Sequence, residues 1–478
     1  MKNSKNISKL IYGILIVIYL ILGLISLNFV YFGDNIMQIS KSAHWYYLND
    51  FQYLLTPKVS SGSDLAGTGY HPPILGLIVA FLWKIIGYHL WIYHSLAIIG
   101  FFLIIYNLKL FLKNFFKEEY IPWIVAIIML EPTVMAQYVV ASPDFILYTA
   151  FFICLRAIFD KKKLLFSCAF FFLCAISMRG IFAGISLFIV HFLYVKIKQL
   201  NNNQYIIRWS LAYLPTFILL SLYFIIYFMN RGWFFNDSIY TEHYQQPKDF
   251  HFIIKHFFSF VLRTIENGRF FIWILFLVFL PKIWKERIYF FNKIGFIILL
   301  FLALFSIYFI FIFISQMPFT SRYFLPQYSL LTILIAFILY KYLPLKKLKI
   351  IFIITLLLEL TGNFWIYPEK TAVAWDGTLA HLPFYNLRKE CFNYIDSQKI
   401  NYPEINAGFC LYGKRKYIEM INSPKSIEGK TNGKYYIYSN ISNETDELIE
   451  EMNNKNKWKK VKQFQQWPVH IIIYKKIN

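Results

Sequence analysis

Eleven apolar runs set the limits on what this chain can become. They lie near residues 10–30, 89–112, 120–138, 143–159, 164–178, 180–197, 209–229, 270–286, 294–315, 323–341 and 349–367. At about 1.5 Å of rise per residue, most can cross a hydrocarbon core of about 30 Å as helices. A further stretch, 73–87, is short and interrupted by Lys84, so it is expected to lie along the interface. Only 15% of the residues are charged, against about 25% in soluble proteins. The expected fold is an all-α polytopic membrane protein of about 11 transmembrane helices. No cleavage pattern follows the first run, which is expected to stay as a helix.

The net charge of +22 would suit nucleic acid if the basic residues formed one surface. They fall instead into short clusters between apolar runs, as the positive-inside rule requires, and no nucleic-acid partner is expected. With eleven crossings and a cytoplasmic N-terminus, the Lys- and Arg-bearing loops 1–9, 109–119, 156–163, 196–208, 282–293 and 341–349 all face inside. The tight turns on the other side carry almost no positive charge apart from Arg179 and Arg322. Three larger pieces then face outward: the polar stretch 31–72, Asn230–Gly268, and everything after about Pro368.

The last piece changes composition. Strand-like runs at Tyr435–Tyr438 and His470–Tyr474 flank a helix start, with Ser442 expected as its N-cap. Residues 368–478 therefore read as a small extracytoplasmic α/β domain behind a membrane domain, 1–367. Its charges are scattered along a solvated surface, which points to acceptor or partner recognition more than to bond chemistry. Cys391 and Cys410 both lie there; two cysteines do not decide whether they pair.

Asp34 follows the first membrane helix within a few residues, at a boundary where a carboxylate stays charged without full burial. A lone boundary Asp more often caps or solvates, but a long loop closing on Tyr70-His71-Pro72-Pro73 gives this one a setting. Arg179, in Ser177-Met178-Arg179-Gly180, and Arg322, in Ser321-Arg322-Tyr323, break the depletion of positive charge on their side. Either they snorkel to headgroups or they converge on a phosphate, which guanidinium suits geometrically. His71 can donate to the same group. Asp144, after Ser142-Pro143, has two readings: a helix N-terminal acid, or a group that orients an arginine or a sugar hydroxyl.

His243, His251 and His256 lack tight metal-ligand spacing, and no divalent metal is expected. There is no phosphate-binding Gly-Lys loop, dinucleotide fingerprint or nucleophile elbow. Paired acids of the kind that run proton-coupled transport are not evident either, since Glu131 and Glu359 stand far apart in the chain.

The motifs Gly33-Asp34, Tyr70-His71-Pro72-Pro73, Ser142-Pro143-Asp144, Met178-Arg179-Gly180 and Arg322-Tyr323-Phe324-Leu325-Pro326 together resemble the GT-C membrane glycosyltransferases. The likeness is to the family 39 type, which includes protein O-mannosyltransferases and aminoarabinose transferases, and it covers most of 1–367. It implies a polyprenyl-phosphate sugar donor, an outer-face site in a multi-pass plasma or inner membrane protein, and a glycan, glycolipid or protein acceptor. It also implies Asp34 as general base and His71, Arg179 and Arg322 near the donor phosphate, with Asn35, Tyr70, Asp144 and Tyr323 around the substrates. The family often has Asp-Glu where this chain has Asp34-Asn35, so the second acid of that pair is missing. The rival class is a transporter or flippase for a lipid-linked glycan, against which stands the lack of an internal repeat.

Overall fold

The computed structural model describes residues 2–57, 71–199, 203–232, 249–314, 316, 319–366, 375–427, 429, 433–442 and 444–477. Every one of the eleven apolar runs is helical. The helices are Lys2–Ser26, Trp91–Leu112, Ile121–Leu130 with Pro132–Val140, Pro143–Phe159, Lys163–Ile176, Met178–Ile197, Asn203–Arg231, Phe270–Lys285, Arg287–Ile314, Leu325–Tyr342 and Leu345–Gly362. Among the described residues, six helices are long and apolar enough to cross a membrane, or up to eight if each of two bent pairs is one span. The runs at 143–159, 164–178 and 349–367 form helices too short or too charged to pass that test. Exposed large apolar side chains such as Leu10, Ile99, Leu211 and Val278 stand on the outward faces of the helices Lys2–Ser26, Trp91–Leu112, Asn203–Arg231 and Phe270–Lys285. The chain is a multi-pass membrane protein. The stretch 73–87 becomes the helix Ile74–Ile86, whose 13 residues span only about 20 Å.

Two expectations need correction. The run at 120–138 is not one straight crossing. Glu131 takes extended backbone angles (φ −58°, ψ 129°) ahead of Pro132, and the two halves meet at 61°. Pro132 supplies no N–H and disfavours helical angles in the residue before it, so the break is local chemistry. The second correction concerns Asn230–Gly268, expected as an outer loop. Residues 233–248, with Asp237, Glu242 and His243, lie outside the described residues. Phe250–Ile265, however, is a helix, bent by 91° from Phe270–Lys285. Its His256 and Arg263 are buried while Phe250 and Phe258 are exposed. Polar residues inward and apolar residues outward is the reverse of a water-soluble helix, and it masked the apolar run from a simple reading of hydropathy.

The two bends meet inside the protein. Arg269 donates through Nη1 to the Glu131 carboxylate and to Thr133 Oγ1 (3.2 Å), and through Nη2 to the Arg263 carbonyl (3.1 Å). Arg263 donates to Glu266 Oε2 at 2.8 Å, Ser321 donates to Glu266 Oε1, and the Arg269 guanidinium lies 4.0 Å from the Tyr328 ring centre. Glu359 is fully buried beside them, within electrostatic reach of Glu131 and Arg269, and neither oxygen has a hydrogen-bond partner among the described residues. The two acids that the chain keeps far apart are thus brought together by the fold.

Beyond the last membrane helix, a four-stranded sheet runs in the order Ile405–Ala407, Tyr435–Ser439, Val469–Lys476, Trp458–Gln466. The first pair is parallel (Ile405 opposite Tyr435) and the others antiparallel (Ile437 opposite Ile473, Phe464 opposite Ile471). Trp458–Gln466 escaped the sequence reading because it is an edge strand with mostly exposed polar residues. The helix expected to start at Ser442 is Asp446–Asn453, capped by the Thr445 hydroxyl accepting from Leu448 N–H; Ser442 is itself buried. Cys391 and Cys410 are buried, free thiols.

This part of the chain packs onto the first loop. The Tyr31 N–H bonds to the Ile418 carbonyl at 3.0 Å, Ser40 donates its hydroxyl to the Tyr417 carbonyl, and the Phe29 and Tyr385 rings stack 3.8 Å apart.

Candidate active site

The first helix ends at Ser26, and the chain then turns at Gly33, whose φ of +52° is left-handed and costs a side-chain-bearing residue strain. That turn presents Asp34. Asn35, next in line, is buried and donates its amide to the Val140 carbonyl at 2.9 Å. A six-residue π-helix, Ile36–Lys41, follows directly, a distortion found disproportionately at functional sites.

Arg322 lies on a short 3-10 turn, Ser321–Phe324, ahead of the helix Leu325–Tyr342. Its Nη2 donates to Asp34 Oδ2 at 2.5 Å across 288 residues of sequence. Its Nη1 stands 2.9 Å from Asp376 Oδ2. Its Nε is 3.8 Å from Asp144 Oδ2, too long for a hydrogen bond. Three carboxylates therefore surround one guanidinium.

Arg179 sits in the first turn of Met178–Ile197, the positive end of a helix dipole, where a cation is disfavoured. Asp144 compensates by taking both its Nε (2.6 Å) and its Nη2 (3.0 Å). Of the two readings of Asp144, capping falls to Ser142, which accepts from Phe145 N–H, and Asp144 holds the arginine. Gly180 permits this: a Cβ there would lie 1.8 Å from the Leu173 carbonyl oxygen. Tyr323 lies between the cations, its ring centre 4.7 Å from the Arg179 guanidinium and 5.7 Å from that of Arg322. A cavity of about 20 Å³, room for a single water, is lined by Asp144, Arg179, Tyr308, Arg322 and Tyr323 among others.

His71 is buried beside this cluster and accepts from the Met178 N–H through Nδ1 at 3.3 Å. Burial, and then the Arg179 and Arg322 charges against the pull of Asp34, lower its pKa to about 3. It is therefore neutral at physiological pH, and any donation to a ligand comes from a neutral imidazole, not an imidazolium. Asp34 goes down as well: burial alone would raise it, but the Arg322 and Arg179 charges outweigh burial and hold the carboxyl below its usual range. Three carboxyl groups, Asp34, Asp144 and Asp376, against the two guanidinium groups of Arg179 and Arg322 give the cluster a formal charge of −1.

Of the residues singled out in the sequence, Asp34, His71, Asp144, Arg179, Arg322 and Tyr323 come together at one end of the helices. Asn35 lies alongside with its amide committed to backbone, and Tyr70 lies outside the described residues. Asp376 was missed. It follows the last membrane helix in Trp375-Asp376-Gly377, an acid between an aromatic residue and a turn former, and that was the only local signal. Its backbone carbonyl is fixed by the Gln137 amide at 2.5 Å. The C-terminal part of the chain thus brings a carboxylate into the site.

No known family profile and no curated protein matches the sequence. The architecture is similar to crystal structures of ArnT from Cupriavidus metallidurans, in the apo state (TM-score 0.54) and bound to undecaprenyl phosphate (TM-score 0.51). In both comparisons the identity is 11%, over 97% of each chain. At that identity the likeness speaks for architecture alone: this chain has the fold seen in those two structures.

Proposed function

We propose that this protein transfers a sugar from a polyprenyl-phosphate carrier to an acceptor hydroxyl at the extracytoplasmic face of the membrane, with Asp34 as general base. The observation that carries the reading is the Asp34–Arg322 pair, set beside Arg179 on a fold whose structural neighbour was crystallised with undecaprenyl phosphate.

The chemistry follows from who holds the charge. The donor is a phosphodiester, so its phosphate is already an activated leaving group and needs no acid. Asp34 takes the proton of the acceptor hydroxyl, and the oxygen attacks the anomeric carbon. The bond from that carbon to the phosphate oxygen breaks, and the electron pair leaves with the polyprenyl phosphate. Direct displacement inverts the anomeric centre. The leaving phosphate gains one negative charge, which Arg179 and Arg322 stabilise.

Arg322 couples the two halves of the step. While it pairs fully with Asp34 it weakens that carboxylate as a base. As its charge is drawn to the leaving phosphate, the proton affinity of Asp34 rises. Protonation of Asp34 in turn releases the guanidinium to the phosphate.

The test is transfer by the purified protein in detergent or nanodiscs from a polyprenyl-phosphate sugar. Asp34→Asn keeps the size and removes the proton acceptor, so turnover is expected to fall at least about 100-fold with donor affinity little changed. Wild-type turnover by this variant would sink the base assignment. A flippase needs a sealed compartment and would show no bond chemistry in detergent. The sidedness is checked by labelling Lys459→Cys, on the exposed edge strand, in intact cells of a cysteine-free background; protection there would reverse the orientation.

A further inference from the structure

Arg322 has three donor edges, and a carboxylate faces each: Asp34 at Nη2, Asp376 at Nη1 and Asp144 beyond Nε. An incoming phosphate that takes one of these edges displaces the acid on it, and the cavity lined by Asp144, Arg179 and Arg322 has room for about one water. The cluster already carries a net negative charge, so simple addition of an anion is unfavourable as well.

The three acids are not equally free to yield. Asp144 is nearly fully buried and tied by both oxygens to Arg179. Asp34 is needed next to the acceptor if it is the base. Asp376 stands on a short 3-10 turn outside the membrane helices. Its turn is anchored through its backbone carbonyl by Gln137, and among the described residues its ion-pair partner is Arg322. The side chain can rotate away while the turn stays in place.

We propose that Asp376 is an internal stand-in for the donor phosphate: its carboxylate holds the Nη1 edge of Arg322 that the phosphate takes on binding. This rests on the donor reading above and deepens it. The exchange leaves Arg322 bridging phosphate on one edge and Asp34 on the other, the arrangement that the coupled step requires. It also makes Asp376 a selectivity element, since only a group that competes with a carboxylate for a guanidinium gains entry.

The inference predicts a gain of binding, a sign that structural damage does not produce. The measurement is the affinity of full-length protein in nanodiscs for a sugar-free polyprenyl phosphate. Asp376→Asn and Asp376→Ala are each expected to bind at least about tenfold tighter than wild type, since facing like charges are costly. Asp376→Glu, which keeps the charge, is expected to stay near wild type. Adding Asp376→Asn to Arg322→Ala should yield no gain, because the edge being competed for is gone. Unchanged or weaker binding by the Asn and Ala variants, or the same gain without Arg322, overturns the proposal while the donor reading stands. Absence of binding by wild type and every variant overturns both.

Discussion

Two of the clusters of acids and arginines in this chain differ in how finished they are. In the inner one, Arg263, Arg269, Glu131 and Glu266 are almost wholly buried, with side chains exposed by 5% or less. Backbone carbonyls, Thr133, Ser321 and the Tyr328 ring take up much of what the ion pairs leave over. The outer cluster uses the same residue types, yet the side chains of Asp34, Asp376 and Arg322 are 30%, 14% and 13% exposed. A closed network fixes geometry. A partly open one has partners to exchange, which is what the proposed phosphate site requires.

The comparison can be broken most forcibly from inside. Glu131→Ala leaves the buried Arg269 with only the longer Glu266 contact (3.5 Å) among its described carboxylate partners and removes the cap of Pro132–Val140, whose Val134 N–H bonds to Glu131. A stability loss of about 3–5 kcal/mol is expected, read from thermal or denaturant unfolding in detergent. A near-neutral result would mean that the inner network is as exchangeable as the outer.

Arg322→Ala and Arg179→Ala come next. Each should weaken donor binding by about 2–5 kcal/mol, the scale for truncating one partner of a desolvated charge pair. Lysine should rescue only in part, because an ammonium has no fork. Unchanged affinity in both alanine variants would leave the arginines as lipid anchors.

His71 gives the smallest effect and sharpens the outer site. Its folded pKa of about 3 lies below the ordinary 6.5. As pH falls from about 6.5 towards 3, the unfolded chain takes up a proton that the folded one refuses, and stability drops by up to about 1.4 kcal/mol per pH unit. His71→Gln should flatten that slope, measured as melting temperature at pH 7 and pH 5. Asp34 contributes nothing over most of this window, because its lowered pKa costs stability only below the ordinary carboxylate range. A wild-type slope in the Gln variant would show that His71 takes up its proton as readily folded as unfolded.

How much of this was readable beforehand follows the range of each signal. The helices declared themselves through runs of twenty or so apolar residues, and Glu131-Pro132 even marks its own break. Asp34, Arg179 and Arg322 stood out because the membrane makes charges conspicuous. Asp376 did not, because it lies in polar surroundings where one more acid is unremarkable. Its role depends on a contact with Arg322 that no local pattern encodes. Phe250–Ile265 was hidden for the opposite reason: its polar residues face protein, so the helix looks like a loop to a hydropathy count.

The long reach of the Asp34–Arg322 contact, 288 residues, has a consequence for biogenesis. Synthesis proceeds from the N-terminus, so the loop with the base enters the membrane long before its arginine has been translated. Asp376 and the Ile418 carbonyl that tethers Tyr31 come later still. A ribosome stalled before residue 322, about two thirds of the way along the chain, leaves a membrane-embedded fragment without one of the two arginines that the proposed transfer needs. On that proposal competence arrives late in synthesis, and such unfinished copies cannot squander a lipid carrier.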